Sequence, residues 1–206
     1  MTTLTLVKAE VQPLVMTATI GSHVKPPPLV FLDLETTGLN PRTSEIIEIA
    51  AMKVDSQTLE VLDWFATKVR PSDGALVEPE AVEINGFSAD EWADAPGVGD
   101  VLLVLRKFLD GCLVAGHNPA FDWAFLTTTF HRLGMQLPQV QHHLLDTASL
   151  GWPLLRHGLV TSLSLRALCA FFGISNVGAH HALADVMRTY QVFLRLVGEV
   201  PKGVLQ

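Results

Sequence analysis

The chain has 206 residues, 49% of them apolar, which suits one hydrophobic core and does not call for two. A formal charge of −7 argues against a protein that coats duplex DNA by charge alone, although acids that hold divalent cations reverse the local field. Cys112 and Cys169 form no CxxC pair and read as buried free thiols, and neither a signal peptide nor a membrane span is evident, so a cytoplasmic protein with no membrane partner is expected.

Residues 1–28 read as an N-terminal arm, either an added strand or a loosely held segment, closed by the stiff run Lys25-Pro26-Pro27-Pro28. The main domain is expected over residues 29–200, with a short tail at 201–206. Leu29–Leu34 reads as a buried strand and Thr36–Thr43 as a turn region. Glu45–Asp55 and Leu59–Arg70 read as two further strands joined by a hairpin at Ser56–Thr58, so the first three strands should be antiparallel. Pro79–Ile84 suits a short helix with proline in its first turn. Gly97–Leu109 has helical spacing, Cys112–Ala115 is a strand-length apolar run, and Pro119–Arg132 is a helix. Leu144–Asp146 suits a strand, and Ser162–Phe172 and His181–Val197 suit helices. This order predicts an α/β architecture, a mixed five-stranded sheet flanked by helices. Neither a GxGxxG turn nor a GKS/GKT phosphate loop is present.

Three segments carry the acids of interest. Asp33 and Glu35 stand two apart at the end of the first strand, so both carboxylates point to one side and Leu34 to the other. Side by side they repel, and a hard divalent cation removes that penalty; a solvated strand end is the ordinary alternative. In Gly116-His117-Asn118-Pro119-Ala120-Phe121-Asp122, Asn118 suits an N-cap and Pro119 a first helical residue. Asp122 then falls near the first turn, facing the end of the preceding strand, where the helix dipole also favours an acid. Asp185 has apolar neighbours in Leu183, Val186 and Met187 and asks for a partner. Helical spacing pairs it with His181, four residues away; His180, five away, meets it only from a loop before the helix.

Taken together, Asp33-x-Glu35, Asn118 four residues before Asp122, and His180 five residues before Asp185 resemble the DnaQ-like (DEDDh) exonuclease family. Glu45–Ala50 resembles the family's second strand, the segment ending Ile84-Asn85-Gly86-Phe87 its short helix and substrate-side loop, and Asp146-Thr147 a feature after its fifth strand. The likeness runs from about Leu29 to Leu196. It implies a ribonuclease H-like fold with Asp33, Glu35, Asp122, His180 and Asp185 as catalytic residues. It implies two divalent metal ions, Mg²⁺ or Mn²⁺, held by Asp33, Glu35, Asp122 and Asp185, and it selects His180 over His181 as general base. For the substrate it implies Thr36, Thr37 and Gly38 at the terminal nucleotide, Leu39 and Phe87 against its base, and Asn85 and Asn118 close by. Phe121 and Phe125 follow the apolar helix face and read as core. The implied reaction is hydrolysis at a DNA 3′ end, single-stranded or frayed, releasing nucleoside 5′-monophosphates.

Rival readings remain open. An oligoribonuclease or RNA-trimming enzyme would use the same five residues, since cleavage occurs at phosphate, but no clear version of its aromatic motif is present. A non-enzymatic nucleic-acid-binding or scaffold domain is expected to have lost one of the five. An unrelated metal phosphatase explains the acids and not their spacing. The chain stops at Gln206, soon after the last helix, where a polymerase proofreading subunit is expected to continue into a longer tail. Association with a polymerase and a stand-alone or accessory enzyme are both left open. The arm is left as a cover for the domain or a contact in a homodimer.

Overall fold

The computed structural model describes residues 25–198. Most of the expected arm, residues 1–24, and the expected tail, 201–206, lie outside the described residues. The described chain forms five strands: β1 (Leu29–Thr36), β2 (Ile46–Val54), β3 (Val61–Lys68), β4 (Leu113–Gly116) and β5 (Leu144–Asp146). Eight helices accompany them: α1 (Pro79–Asn85), α2 (Ala89–Trp92), α3 (Val98–Leu109), α4 (Pro119–Arg132), α5 (Thr147–Leu150), α6 (Trp152–Arg156), α7 (Leu165–Phe172) and α8 (Ala182–Leu196). The strands make one mixed five-stranded sheet, as the sequence pattern predicts, and stand in the order β3-β2-β1-β4-β5. β1–β2 and β2–β3 are antiparallel, and β4 lies parallel to β1 and β5.

Period-two alternation on the central strand divides the core into two halves. Val30, Leu32 and Leu34 face one layer, with Leu102 and Leu105 of α3 and Phe125, Leu126 and Phe130 of α4. Leu29 and Phe31 face the other, where α8 packs Val186, Tyr190, Phe193 and Leu194 against them. The next two residues with that second parity are Asp33 and Glu35. The apolar stripe of β1 thus becomes an acidic one just where the strand runs past its neighbour. Pairing of β1 with β4 stops at Phe31 and Ala115, and the last five residues of β1 have no strand partner on that side.

The sequence reading misses three short helices. α2, α5 and α6 have four or five residues each and too few turns to display a period. α2 is nonetheless fixed firmly: Trp92 is buried and its indole nitrogen donates to the Ile47 carbonyl at 2.7 Å. β3 starts at Val61 rather than Leu59, because Leu59 takes a left-handed turn conformation with φ of 57°. The helix expected from Ser162 begins at Leu165, with the Ser164 hydroxyl accepting the Ala167 N–H as its cap.

Phe125 lies one turn beyond Asp122 on α4 and is completely buried. Phe125→Ala is expected to cost about 3–5 kcal/mol, the usual range for emptying a buried aromatic site. Urea denaturation would measure this; a loss below about 1 kcal/mol would show that α4 is not anchored there.

Candidate active site

Asp33 and Glu35 project from β1 toward the start of α8, where Asp185 stands in the first turn. One carboxylate oxygen from each of Asp33, Glu35 and Asp185 lies within 4.8 Å of the others. Asp122 approaches from α4. Its Oδ1 accepts the Leu34 N–H at 3.0 Å, a backbone donor that β4 no longer reaches. Close backbone approach makes this possible: a Cβ on Gly116 would stand 2.9 Å from Pro119 Cβ and 3.1 Å from the Leu32 carbonyl oxygen. Asp33, Glu35, Asp122, Asp185 and His180 all line one cleft of about 750 Å³.

The two histidines separate cleanly. His181 is the N-cap residue of α8, with an exposed side chain whose Nδ1 lies 3.8 Å from a Glu48 oxygen. His180 precedes it in a left-handed conformation, φ 67°, borders the cleft, and donates its backbone N–H to Asp185 Oδ2 at 2.9 Å. The four-residue spacing that favours His181 therefore misleads, because the helix begins only at Ala182. Spacing rules hold inside a helix and not across its cap.

Asn118 occupies the N-cap position of α4, as expected, but its side chain makes no cap. Its backbone is left-handed, φ 60°, and its N–H donates to Asp146 Oδ1 at 2.9 Å. Asp146 also caps α5 through the Ala148 and Ser149 amides, so the Asp-Thr pair joins two helix starts beside the cleft. Behind it, Thr147 Oγ1 lies 2.9 Å from His117 Nδ1, and burial holds the His117 imidazole below its ordinary pKa.

A second cleft of about 520 Å³ adjoins the first, lined by Thr36, Gly38, Leu39, Ile84, Asn85 and Phe121 among others. Leu39 is 77% exposed, a large apolar side chain with no place in the core. The Thr36 and Thr37 hydroxyls are turned inward, to the Gly38 carbonyl and the Glu45 N–H. Asn85 is buried and its amide is used inside the protein, donating to the Thr36 carbonyl at 3.1 Å and accepting from Phe87 N–H. Phe87, expected beside Leu39, does not line this cleft; its ring packs at a tilt against Trp92, centroids 5.2 Å apart, and borders a different cavity. Phe121, expected in the core, borders both clefts while Phe125 behind it is buried.

Two groups escape the sequence reading. Glu48 pairs with Glu35 across the β1–β2 ladder and adds a further acid to the same face. Arg188 is buried on α8 and ion-paired with Asp185. A signal was present for Arg188 in its three-residue helical spacing from Asp185, whereas the second strand lacks the clean alternation that would have marked a face for Glu48.

Burial, followed by the neighbouring charges of Asp122, Asp185, Glu35 and Glu48, pushes the Asp33 carboxyl well above its ordinary range. Burial and then the repulsion of Asp185, Glu48 and Asp122 push Glu35 up to about 8. Asp122 is pushed up to about 7, chiefly by burial. A set of oxygen donors this crowded and this reluctant to ionise suits a hard divalent cation, which removes both the desolvation and the repulsion.

The family model described as an exonuclease matches residues 30–193. The chain is 31% identical over 194 residues to a DNA polymerase III PolC-type of Thermotoga petrophila, covering 94% of this chain and 14% of that protein. It is 29% identical over 178 residues to the PolC-type polymerase of Bacillus subtilis, 86% of this chain and 12% of that protein. The chain therefore spans 12–14% of the length of these relatives. Among solved structures, the zinc-bound complex of E. coli exonuclease I with single-stranded DNA superposes with a TM-score of 0.71 at 23% identity, over 83% of this chain and 40% of that one. Among the described residues no helix is long and apolar enough to cross a membrane.

The raised carboxyls make stability depend on pH with a definite sign. Glu35 in the folded chain holds its proton up to about 8 against an ordinary 4.5, so between those values the folded state binds more protons than the unfolded one. Stability then falls as pH rises through the window. In EDTA the melting midpoint should drop between about pH 5 and about pH 8, within the window, and Glu35→Gln should flatten the slope. A midpoint that climbs over that range in both proteins contradicts the assignment.

Proposed function

Since the chain belongs to the DnaQ-like (DEDDh) exonuclease family, with its ribonuclease H-like fold, we propose that it hydrolyses DNA from the 3′ end, one nucleotide at a time. The observation that carries this reading is the meeting of Asp33, Glu35 and Asp185 oxygens within 4.8 Å, beside Asp122 and His180 in one cleft.

Asp33, Glu35 and Asp185 would hold one divalent ion, and Asp33 with Asp122 would hold a second, each Mg²⁺ or Mn²⁺. Four carboxylates suit two dications because close dications repel strongly. Bound there, the ions supply Lewis acidity, which acidifies the nucleophilic water and offsets charge on the phosphate and the departing oxygen. His180 takes a proton from that water on an imidazole nitrogen, work suited to a neutral imidazole near pH 7. The water oxygen bonds to phosphorus and the bond from phosphorus to the 3′ oxygen breaks. A nucleoside 5′-monophosphate leaves, and the shortened strand keeps a 3′-hydroxyl.

The terminal base lies in the second cleft against Leu39, Ile84 and Phe121, apolar contacts that need not read sequence. Because the Thr36 and Thr37 hydroxyls are already engaged, contacts to the terminal nucleotide there fall to the backbone. Asn118 lies beside the scissile phosphate, and Asn85 holds the wall of the base cleft. The single-stranded DNA in the E. coli exonuclease I complex supports a single-stranded or frayed substrate. The DNA polymerase III relatives support trimming of polymerase-made ends on cytoplasmic DNA.

Matched 5′-labelled single-stranded DNA, duplex DNA and short RNA, each with Mg²⁺, Mn²⁺ or EDTA, test this. A one-nucleotide ladder on single-stranded DNA that stops in EDTA is expected; cleavage that persists in EDTA, or a preference for RNA, overturns the metal or the substrate assignment respectively. His180→Ala should lose about 10²–10⁴-fold in rate, the usual share of a general base, while His181→Ala stays near wild type. Loss in His181→Ala alone would reverse that assignment. Asp33→Asn should be inactive, and a fully active Asp33→Asn protein would reject its place between the ions.

A further inference from the structure

Arg188 is the one buried cation at the acid cluster among the described residues, with 4% of its surface exposed. Its Nη2 pairs with Asp185 Oδ1 one helical turn back, and its Nη1 donates to the Val177 carbonyl at 3.2 Å. Val177 belongs to the segment 174–181 that joins α7 to α8 and carries His180. Inside this segment the bonds are local, Val177 N–H to the Ser175 hydroxyl and Ala179 N–H to the Asn176 carbonyl. Between its first bond, Ile174 N–H to the Cys169 carbonyl, and the cap residue His181, which accepts the Asp185 N–H and lies 3.8 Å from Glu48, two hydrogen bonds tie residues 175–180 to the rest of the fold. One runs from the Arg188 guanidinium to Val177, the other from His180 N–H to Asp185 Oδ2. Both end on the Asp185–Arg188 pair. The segment itself has little packing to hold it: Val177 is 88% exposed, and Gly178 and His180 both take left-handed backbone conformations.

We propose that Arg188 is a positioning residue, which fixes the His180-bearing segment to the Asp185 carboxylate so that imidazole and acid cluster keep one geometry. The assignment rests on the reading of His180 as general base. A planar fork that reaches two acceptors at once is what the site uses, and an ammonium group reproduces the charge without the fork. Asp185 in turn is held from two directions, Oδ1 by Arg188 and Oδ2 by the His180 amide, which sets its orientation toward Asp33 and Glu35.

The full chain, wild type, Arg188→Met and Arg188→Lys, is compared by amide hydrogen exchange in EDTA and by single-stranded DNA hydrolysis at saturating Mg²⁺. Loss of a hydrogen bond from a charged donor should speed exchange over 174–181 by about tenfold or more in Arg188→Met, with amides of α8 near Val192 unchanged. The rate kcat should fall by about 10²-fold, the effect of misplacing a reacting group by an ångström, with KM for DNA little changed. Arg188→Lys should recover part of both, and serves alone if the methionine variant does not fold. Wild-type exchange over 174–181 overturns the tether. Faster exchange with unchanged kcat overturns the role in the reaction, and loosening of the whole chain shows a core ion pair only. If the wild type cleaves no nucleic acid, the functional reading fails, while the exchange comparison still decides the tether.

Discussion

Everything at this site follows from forcing carboxylates together where water cannot fully screen them. Asp33 and Glu35 continue the same parity as Leu29 and Phe31, so the rule that builds the α8-side core also delivers two acids to its end. Asp185 arrives on the helix that covers that core, and Asp122 on the helix that covers the other. The fold thus converts two apolar layers into one acidic point. Mutual repulsion there raises carboxyl affinities for protons, and the same repulsion is what a dication relieves.

Two of the four acids are also braced by something neutral or positive. Asp122 takes the free Leu34 amide, and Asp185 takes the His180 amide and the Arg188 guanidinium. These bonds set where oxygen atoms point before any ligand arrives, which limits the reorganisation left for the reaction itself. Left-handed backbone at Asn118 and His180, each near the start of a helix, serves the same end by turning the chain sharply into the cleft.

Much of this was legible in the sequence. Strand parity placed Asp33 and Glu35 on one side, and Pro119 fixed where α4 begins, so Asp122 could be located from local rules. The antiparallel meander followed from the short connection between the second and third strands. What stayed hidden depended on contacts between distant segments or on caps. Whether His180 or His181 faces Asp185 turns on a single residue of helix start, finer than periodicity can read. Phe121 packs against the core as expected but also borders both clefts, while Phe87 meets Trp92 of α2, a helix too short to show a pattern. Asn118 looked like a side-chain cap, yet its left-handed backbone gives the amide to Asp146 instead.

The early parting of β1 from β4 has one more consequence. From β1 the chain turns back toward β2, and from β4 it leaves through α4 toward β5, on the opposite side. Such a topological switch point opens a crevice at the strand ends by connectivity alone, whatever loops surround it. The acids sit on the strand and helix ends that border the crevice, while Leu39 and Ile84 stand on its rim. Substitutions on that rim can therefore reshape the crevice and leave the acids where the topology put them.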